Sequence, residues 1–247
     1  MDSLNSQIYF SIVVLGYKAG LSLVPFAEKL HGMMSQFNFG WEIILVGNYW
    51  PKENDATPDI VKNLSERLTN VRCVAVPKQG MAGWDMRMGM DMARGKYIGF
   101  IDGDGQIPLE SIFDCLLKIE SEPFDLVKTY RISRGDGIYR RMISWIFNKL
   151  FSFMFKIKVR DVNSNPKVLL RTQYEALNLQ SDDWFYDAEI IIKAKKLGLR
   201  VGEVPMQFLA LKDRPSFVNA GTLWEFLINM MRYKFFRPNT EKPSLLT

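Results

Sequence analysis

Residues 97–110 read YIGFIDGDGQIPLE. An apolar run rich in β-branched and aromatic residues passes into Asp102-Gly103-Asp104-Gly105. In extended backbone, residues i and i+2 point to the same side, so Asp102 and Asp104 converge at one end of a strand. Gly103 and Gly105 have no Cβ, which permits unusual backbone angles and close approach by a ligand. Open α/β sheets bind ligands beyond the carboxyl ends of their parallel strands. Paired hard oxygen ligands suit Mg2+ or Mn2+ better than zinc, with water and phosphate oxygens filling the other positions. The implied ligand is a nucleotide diphosphate. The competing reading is a solvated turn, since Asp and Gly are common turn formers.

A bare D-x-D occurs often by chance, and the neighbouring sequence raises the weight of the ligand-site reading. Strand-like runs at 8–15 (IYFSIVVL), 41–46 (WEIILV), 71–76 (VRCVAV), 96–101 (KYIGFI) and 124–130 (FDLVKTY) alternate with helical stretches at 21–37, 80–93 and 108–121. A further helix is expected to start at Thr57-Pro58, with Thr57 as N-cap and Pro58 at the first helical position. This alternation predicts an α/β fold with a mostly parallel sheet. After Tyr130 the pattern changes. Helices are expected at 138–157, 166–178, 182–197 and 221–236, with one extended piece at 199–208. The expected organisation is a single domain over 1–236, with a nucleotide-binding half (8–130) and an acceptor half (131–236). A polar tail follows at 237–247.

Composition excludes several chemistries. The chain has 247 residues with two cysteines and one histidine. Cys73 and Cys115 allow no disulfide framework beyond one bridge, and no zinc site of Cys and His ligands can be assembled. His31 lies in an expected helix and reads as a surface or satisfied histidine. Residues 1–7 carry no cationic leader, and no apolar run approaches the roughly 20 residues of a spanning helix. The net charge is +5. Residues 138–160 (IYRRMISWIFNKLFSFMFKIKVR) contribute six basic residues and no acid, so the rest of the chain is near neutral. Phe147, Phe151 and Phe155 recur at i, i+4, i+8 and are expected to form a face that enters a membrane interface. Packing against 224–237 and a homo-oligomer surface are the other readings. No nucleic-acid-binding motif accompanies the basic patch, and nucleic acid is not an expected partner.

Several segments, in order, resemble the family 2 glycosyltransferases of GT-A fold, and among them the dolichol-phosphate and polyprenyl-phosphate sugar synthases. They are SIVVLGYKAG (11–20), EIILV (42–46), GMAGWDMRMGMDMARGKYIGFIDGDGQIP (80–108), YRRMISWIFNKLF (139–151), RDVNSNPKVLLR (160–171) and WFYDAEIIIKAKKLGLRVGEVPMQF (184–208). The resemblance implies a Rossmann-like, mostly parallel sheet followed by C-terminal amphipathic helices. It implies an inverting, metal-dependent transfer from a nucleotide-diphosphate sugar to a polyprenyl phosphate, at the cytoplasmic face of a membrane with the enzyme held peripherally. A saccharide or other hydroxyl acceptor is the alternative, and a catalytically reduced scaffold of the same fold is another.

By the same resemblance, Asp104 is the chief ligand of Mg2+ or Mn2+, and Asp102 contacts metal or donor. Gln106 lines the sugar pocket, and Tyr17 and Asn48 stand at donor-binding positions. Asp187 and Glu189 stand near the acceptor, with Asp187 favoured as a base if the acceptor is a hydroxyl. Arg131, Arg134, Lys212, Arg214 and Ser216 would hold phosphate or acceptor. Two departures are visible. Lys18-Ala19 replaces the family's Asn-Glu after the first strand, and Gly47-Asn48-Tyr49-Trp50 replaces its Asp-Asp-Gly-Ser turn. Both positions normally contact base and ribose.

Overall fold

The structure is a computed structural model and describes residues 7–134, 138–209 and 220–235. Strands β1 (Phe10–Leu15), β2 (Trp41–Val46), β3 (Val71–Val74) and β4 (Tyr97–Asp102) are joined by helices α1 (Leu23–Met34), α2 (Thr57–Arg67) and α3 (Ala82–Met92). Helix α4 (Glu110–Ser121) leads into β5 (Leu126–Arg134) and α5 (Ile138–Phe155). Then come β6 (Lys167–Leu170), α6 (Arg171–Leu177), α7 (Tyr186–Lys196), β7 (Val201–Phe208) and α8 (Ala220–Phe235). The strands form one sheet in the order β3-β2-β1-β4-β6-β5-β7. All pairings are parallel except those of β6, which runs antiparallel to both β4 and β5.

Alternate strand residues fill two cores, as the period of two requires. Ile12, Val14, Ile43, Leu45 and Ile101 pack with α1, α2 and α4 on one face. Val13, Ile44, Ile98 and Phe100 pack with α3, α5 and α7 on the other. Both faces are covered, so the strands read as apolar runs rather than alternating ones.

Three expected elements are corrected. The helix expected over 166–178 is a strand followed by a seven-residue helix. Val168, Leu169 and Leu170 favour the strand, and Lys167 is accommodated in it because buried acceptors meet its ammonium group. Thr57 is the first residue of α2 and not its cap, which is Ala56. The Thr57 hydroxyl instead donates to Asp55 Oδ1 at 2.5 Å and accepts from Gly20 N at 3.0 Å. The helix expected from 182 begins at Tyr186. Asp183 Oδ1 accepts the Phe185 N–H at 2.9 Å, and Asp182 pairs with Arg87, so both acids fix the approach to the helix from outside it.

The aromatic stripe of α5 also faces the other way. Phe147 is 8% exposed and Phe151 0%, both within the core shared with α3 and α7, and Phe155 packs on Phe151 with ring centroids 5.0 Å apart. The opposite stripe is open, with Trp145 61% and Phe153 82% exposed beside Met142 and Ile146. Cys73 and Cys115 are free thiols. His31 Nε2 lies 3.1 Å from the Thr69 carbonyl oxygen and is thus a satisfied helical histidine. Among the described residues, no helix is long and apolar enough to cross a membrane.

Candidate active site

The strand order reverses direction between β1 and β4, which pair in parallel with Leu15 opposite Asp102. This is the crevice where open α/β sheets bind ligands. Gly103 N donates to the Leu15 carbonyl at 2.9 Å, which holds the turn against β1. A Cβ at Gly103 would lie 2.8 Å from Leu23 Cδ1 and 2.9 Å from Val14 Cγ1, so a larger residue would have to displace those core methyl groups. Gly105 adopts φ +76°, the left-handed region that glycine enters without strain. Asp104 Oδ1 accepts the Gln106 N–H at 3.0 Å, and the Gln106 carbonyl accepts from Leu209 N at 2.9 Å. The end of β7 is thereby tied to the D-x-D turn. Burial, reinforced by the charges of Asp104 and Asp187, pushes the Asp102 carboxyl up to about 7, against the pull of Asn165 and Lys167.

A polar layer lies beside this carboxylate cluster. Lys167 is fully buried and pairs with Asp187, which is also buried. Its ammonium donates to Asn165 Oδ1 at 2.9 Å and to the Ser164 carbonyl at 3.0 Å. Asn165 Nδ2 is 3.3 Å from both Asp102 Oδ2 and the Tyr186 hydroxyl. Asp102, Asn165, Lys167, Asp187 and Tyr186 therefore form one chain of contacts from β4 through β6 to α7. Lys128, opposite Lys167 in the sheet register, is fully buried too. It donates to the Thr129 carbonyl at 2.6 Å and to the Asp161 carbonyl, with Glu203 3.8 Å away. Burial, helped by Lys167, lowers its pKa to about 8.

Arg131 forms a two-pronged pair with Asp161, at 2.6 and 2.7 Å. Its guanidinium is thus anchored to the loop between α5 and β6. Glu189, two residues after Asp187, has partners of its own. It is fully buried, accepts the N–H groups of Gln180 and Ser181, and pairs with Lys193 at 3.0 Å. Burial opposes its ionisation, but Lys193 and those backbone donors outweigh it and hold the carboxyl below the usual range. Its carboxylate thereby fixes the loop that leads into α7, next to Asp187 in sequence but with different partners.

On the other flank, Asn48 is buried and spans two partners. Its Oδ1 accepts from Val76 N at 3.0 Å, and its Nδ2 donates to Asp85 Oδ1 at 2.9 Å. Asp85 in turn pairs with buried Lys78. Burial raises the Asp85 carboxyl pKa despite Lys78 and Asn48. The Lys78 ammonium stands 4.5 Å from the centroid of the Tyr17 ring. Lys18 pairs with Glu53 at 2.9 Å. Asn48 thus braces the β2 end internally, and Tyr17, just beyond β1, packs against the Lys78 ammonium.

The structure brings Asp102, Asp104, Gln106 and Asp187 into one locality. The backbone of Arg134 ends β5. Lys212, Arg214 and Ser216 lie outside the described residues, as does the tail at 237–247. Sequence reasoning missed Asn165, Lys167, Lys128, Asp161, Lys78 and Asp85. The available signal was a lysine interrupting each of two apolar runs, FDLVKTY and NPKVLL. Fully buried lysines are rare unless paired.

The profile of Glycosyl transferase family 2 matches residues 17–186. Several relatives span most of the chain, two of them as follows. A dodecaprenyl-phosphate galacturonate synthase of Rhizobium johnstonii is 25% identical over 243 residues, covering 96% of this chain and 70% of the relative. A dolichyl-phosphate beta-glucosyltransferase of Saccharomyces cerevisiae is 24% identical over 229 residues, covering 83% and 68%. Among solved structures, glucosyl-3-phosphoglycerate synthase from Mycobacterium tuberculosis, in complex with Mn2+, UDP and glucosyl-3-phosphoglycerate, superposes with TM-score 0.68. It has 15% identity, and the match covers 94% of this chain and 82% of that one. The same enzyme with Mg2+ and UDP gives TM-score 0.66 at 14% identity, covering 94% and 81%. The sheet order, the D-x-D turn at the switch point and the matched profile agree: the chain is a glycosyltransferase of GT-A fold and belongs to glycosyl transferase family 2.

Proposed function

We propose that the chain transfers a sugar from a nucleoside-diphosphate sugar to a polyprenyl phosphate, with a divalent cation held by Asp102 and Asp104. The observation that carries the donor site is the grouping of Asp102 and Asp104 in the turn at the carboxyl end of β4 with Asp187 nearby, where burial first and the two neighbouring carboxylates second raise the Asp102 pKa. Such a cluster fits Mg2+ or Mn2+, which need only one or two protein carboxylates and take phosphate oxygens and water besides. The solved GT-A neighbours carry Mn2+ or Mg2+ with UDP. When bound, the cation would offset the charge that develops on the departing diphosphate.

The protein's part in the reaction is binding and orientation. In a single displacement, an acceptor oxygen forms a bond to the anomeric carbon as the bond to the diphosphate breaks. The nucleoside diphosphate leaves with the electron pair, and the anomeric configuration inverts. A phosphate nucleophile is already anionic and requires no base. That agrees with the state of Asp187, whose carboxylate is buried and committed to Lys167. A hydroxyl acceptor would need a carboxylate able to take a proton. The relatives that span the chain act on dodecaprenyl and dolichyl phosphates, which favours the lipid acceptor.

The open face of α5 gives the chain a surface for a lipid bilayer. Met142, Trp145, Ile146 and Phe153 are exposed along one stripe with Lys149, in a segment that has six basic residues and no acid. Basic amphipathic helices of this kind lie in anionic interfaces. Calorimetric titration with a panel of nucleotide sugars, with and without Mn2+, tests the donor site. Metal-dependent binding of one of them is expected, and it should disappear in Asp104→Asn. No binding to any would favour a scaffold of the same fold.

A further inference from the structure

Lys167 is placed where an apolar strand residue would ordinarily sit, and its three contacts explain why a cation is there. An ammonium group has donors and no acceptor. The atom of Asn165 that faces Lys167 at 2.9 Å must therefore be the amide oxygen. The amide NH2 is then forced toward Asp102 Oδ2 and the Tyr186 hydroxyl, each at 3.3 Å. Asp187 neutralises Lys167 from α7, so the buried pair carries no net charge toward the cleft. Asn165 is itself buried, and its backbone carbonyl accepts from the Thr129 hydroxyl at 2.7 Å, so the side chain is fixed at its base as well as its tip.

We infer that Asn165 and Lys167 are positioning residues for Asp102: Lys167 fixes which way the Asn165 amide points, and the amide fixes Oδ2 of Asp102 and with it the orientation of that carboxylate toward a divalent cation. Asp187 is the counter-ion of Lys167 and has no proton-transfer role. This inference rests on the metal reading proposed above. Groups that orient a metal ligand from behind affect affinity without touching the metal, typically by about 10–100-fold on removal.

The test is a Mn2+ titration followed by the electron paramagnetic resonance signal of unbound Mn2+, with UDP present, on the full chain. Asn165→Ala removes the donor to Asp102 and leaves the Lys167–Asp187 pair. Lys167→Met combined with Asp187→Leu replaces the ion pair by apolar side chains of similar size, a change often neutral for stability. Each variant is expected to lose about 10–100-fold in Mn2+ affinity. The combination of all three substitutions is expected to lose no more than either alone, because they act through the same contact. Thermal midpoints measured alongside separate this from unfolding. If the paired substitution does not fold, Asn165→Ala decides alone. Wild-type Mn2+ affinity in Asn165→Ala, or losses that multiply, overturn the positioning role while leaving the metal reading intact. A wild-type protein that binds no Mn2+ with UDP or with any other nucleoside diphosphate tried in its place overturns both.

Discussion

Asp104 and Asp187 both lie near Asp102 but have different partners. Asp104 sits in a turn, half-buried, with Gln106 N on one oxygen. Asp104→Asn should therefore leave the fold intact while lowering metal-dependent turnover by about 10²-fold or more, the rate equivalent of several kcal/mol. Comparing kcat/KM with the thermal midpoint checks this, and full turnover would remove the metal assignment. Asp187→Asn should show the reverse pattern. It leaves Lys167 buried without its counter-charge, which costs about 3–5 kcal/mol. The melting temperature should fall by about 10 °C. Turnover of the folded fraction with a polyprenyl phosphate should drop by less than the 10²–10⁴-fold expected for loss of a general base. A loss of that size without destabilisation would restore Asp187 as a base. Lys128 supplies a pH signature. Its folded pKa is about 8 against 10.5 ordinarily, so between these values the unfolded state holds more protons and stability rises with pH. The full displacement corresponds to about 3 kcal/mol. Denaturant unfolding of wild type and Lys128→Met should show Lys128→Met gaining relative stability at pH 8, with that advantage shrinking toward pH 10.5. A constant difference would contradict the buried, depressed lysine.

At the scale of single elements, α5 and β6 show where a sequence pattern runs short. Helical periodicity identifies the Phe147–Phe151–Phe155 stripe correctly as one face. It carries no sign that says which face turns inward, because Met142, Trp145, Ile146 and Phe153 make a second apolar stripe on the other side. Packing on α3 and α7 decides it. Trp145→Ser with Phe153→Ser should lower sedimentation with anionic vesicles by about 10-fold or more and leave the melting temperature unchanged. Phe151→Ala should cost about 3–5 kcal/mol, with no direct effect on vesicle binding. Equal vesicle binding by wild type and the double serine variant would make the open stripe irrelevant to lipid. For β6, four residues give too short a window for period two to show. Lys167 looks like a solvated position until the opposing Lys128, Asp187 and Asn165 are seen around it.

At the scale of the molecule, the parallel half was legible because each strand is buried on both faces and reads as an unbroken apolar run. The placement of Asp102 and Asp104 in a turn at the carboxyl end of β4 was legible because the apolar run stops at a carboxylate pair interrupted by glycines. The polar layer was not, because β6 is antiparallel and brings 161–167 beside β4 from more than sixty residues away. No local spacing encodes that meeting. Asn48 is a second case: its side-chain oxygen meets Val76 N and its amide nitrogen meets Asp85, contacts that no local spacing encodes either. The most direct test is transfer of labelled sugar from a panel of nucleotide sugars to a polyprenyl phosphate, with Mn2+ or Mg2+ and with chelator. One donor should yield a lipid-extractable, acid-labile sugar phosphate of inverted anomeric configuration, dependent on the cation and absent in Asp104→Asn. Transfer to a saccharide hydroxyl with none to the lipid phosphate, or transfer that survives chelation and Asp104→Asn, would contradict it.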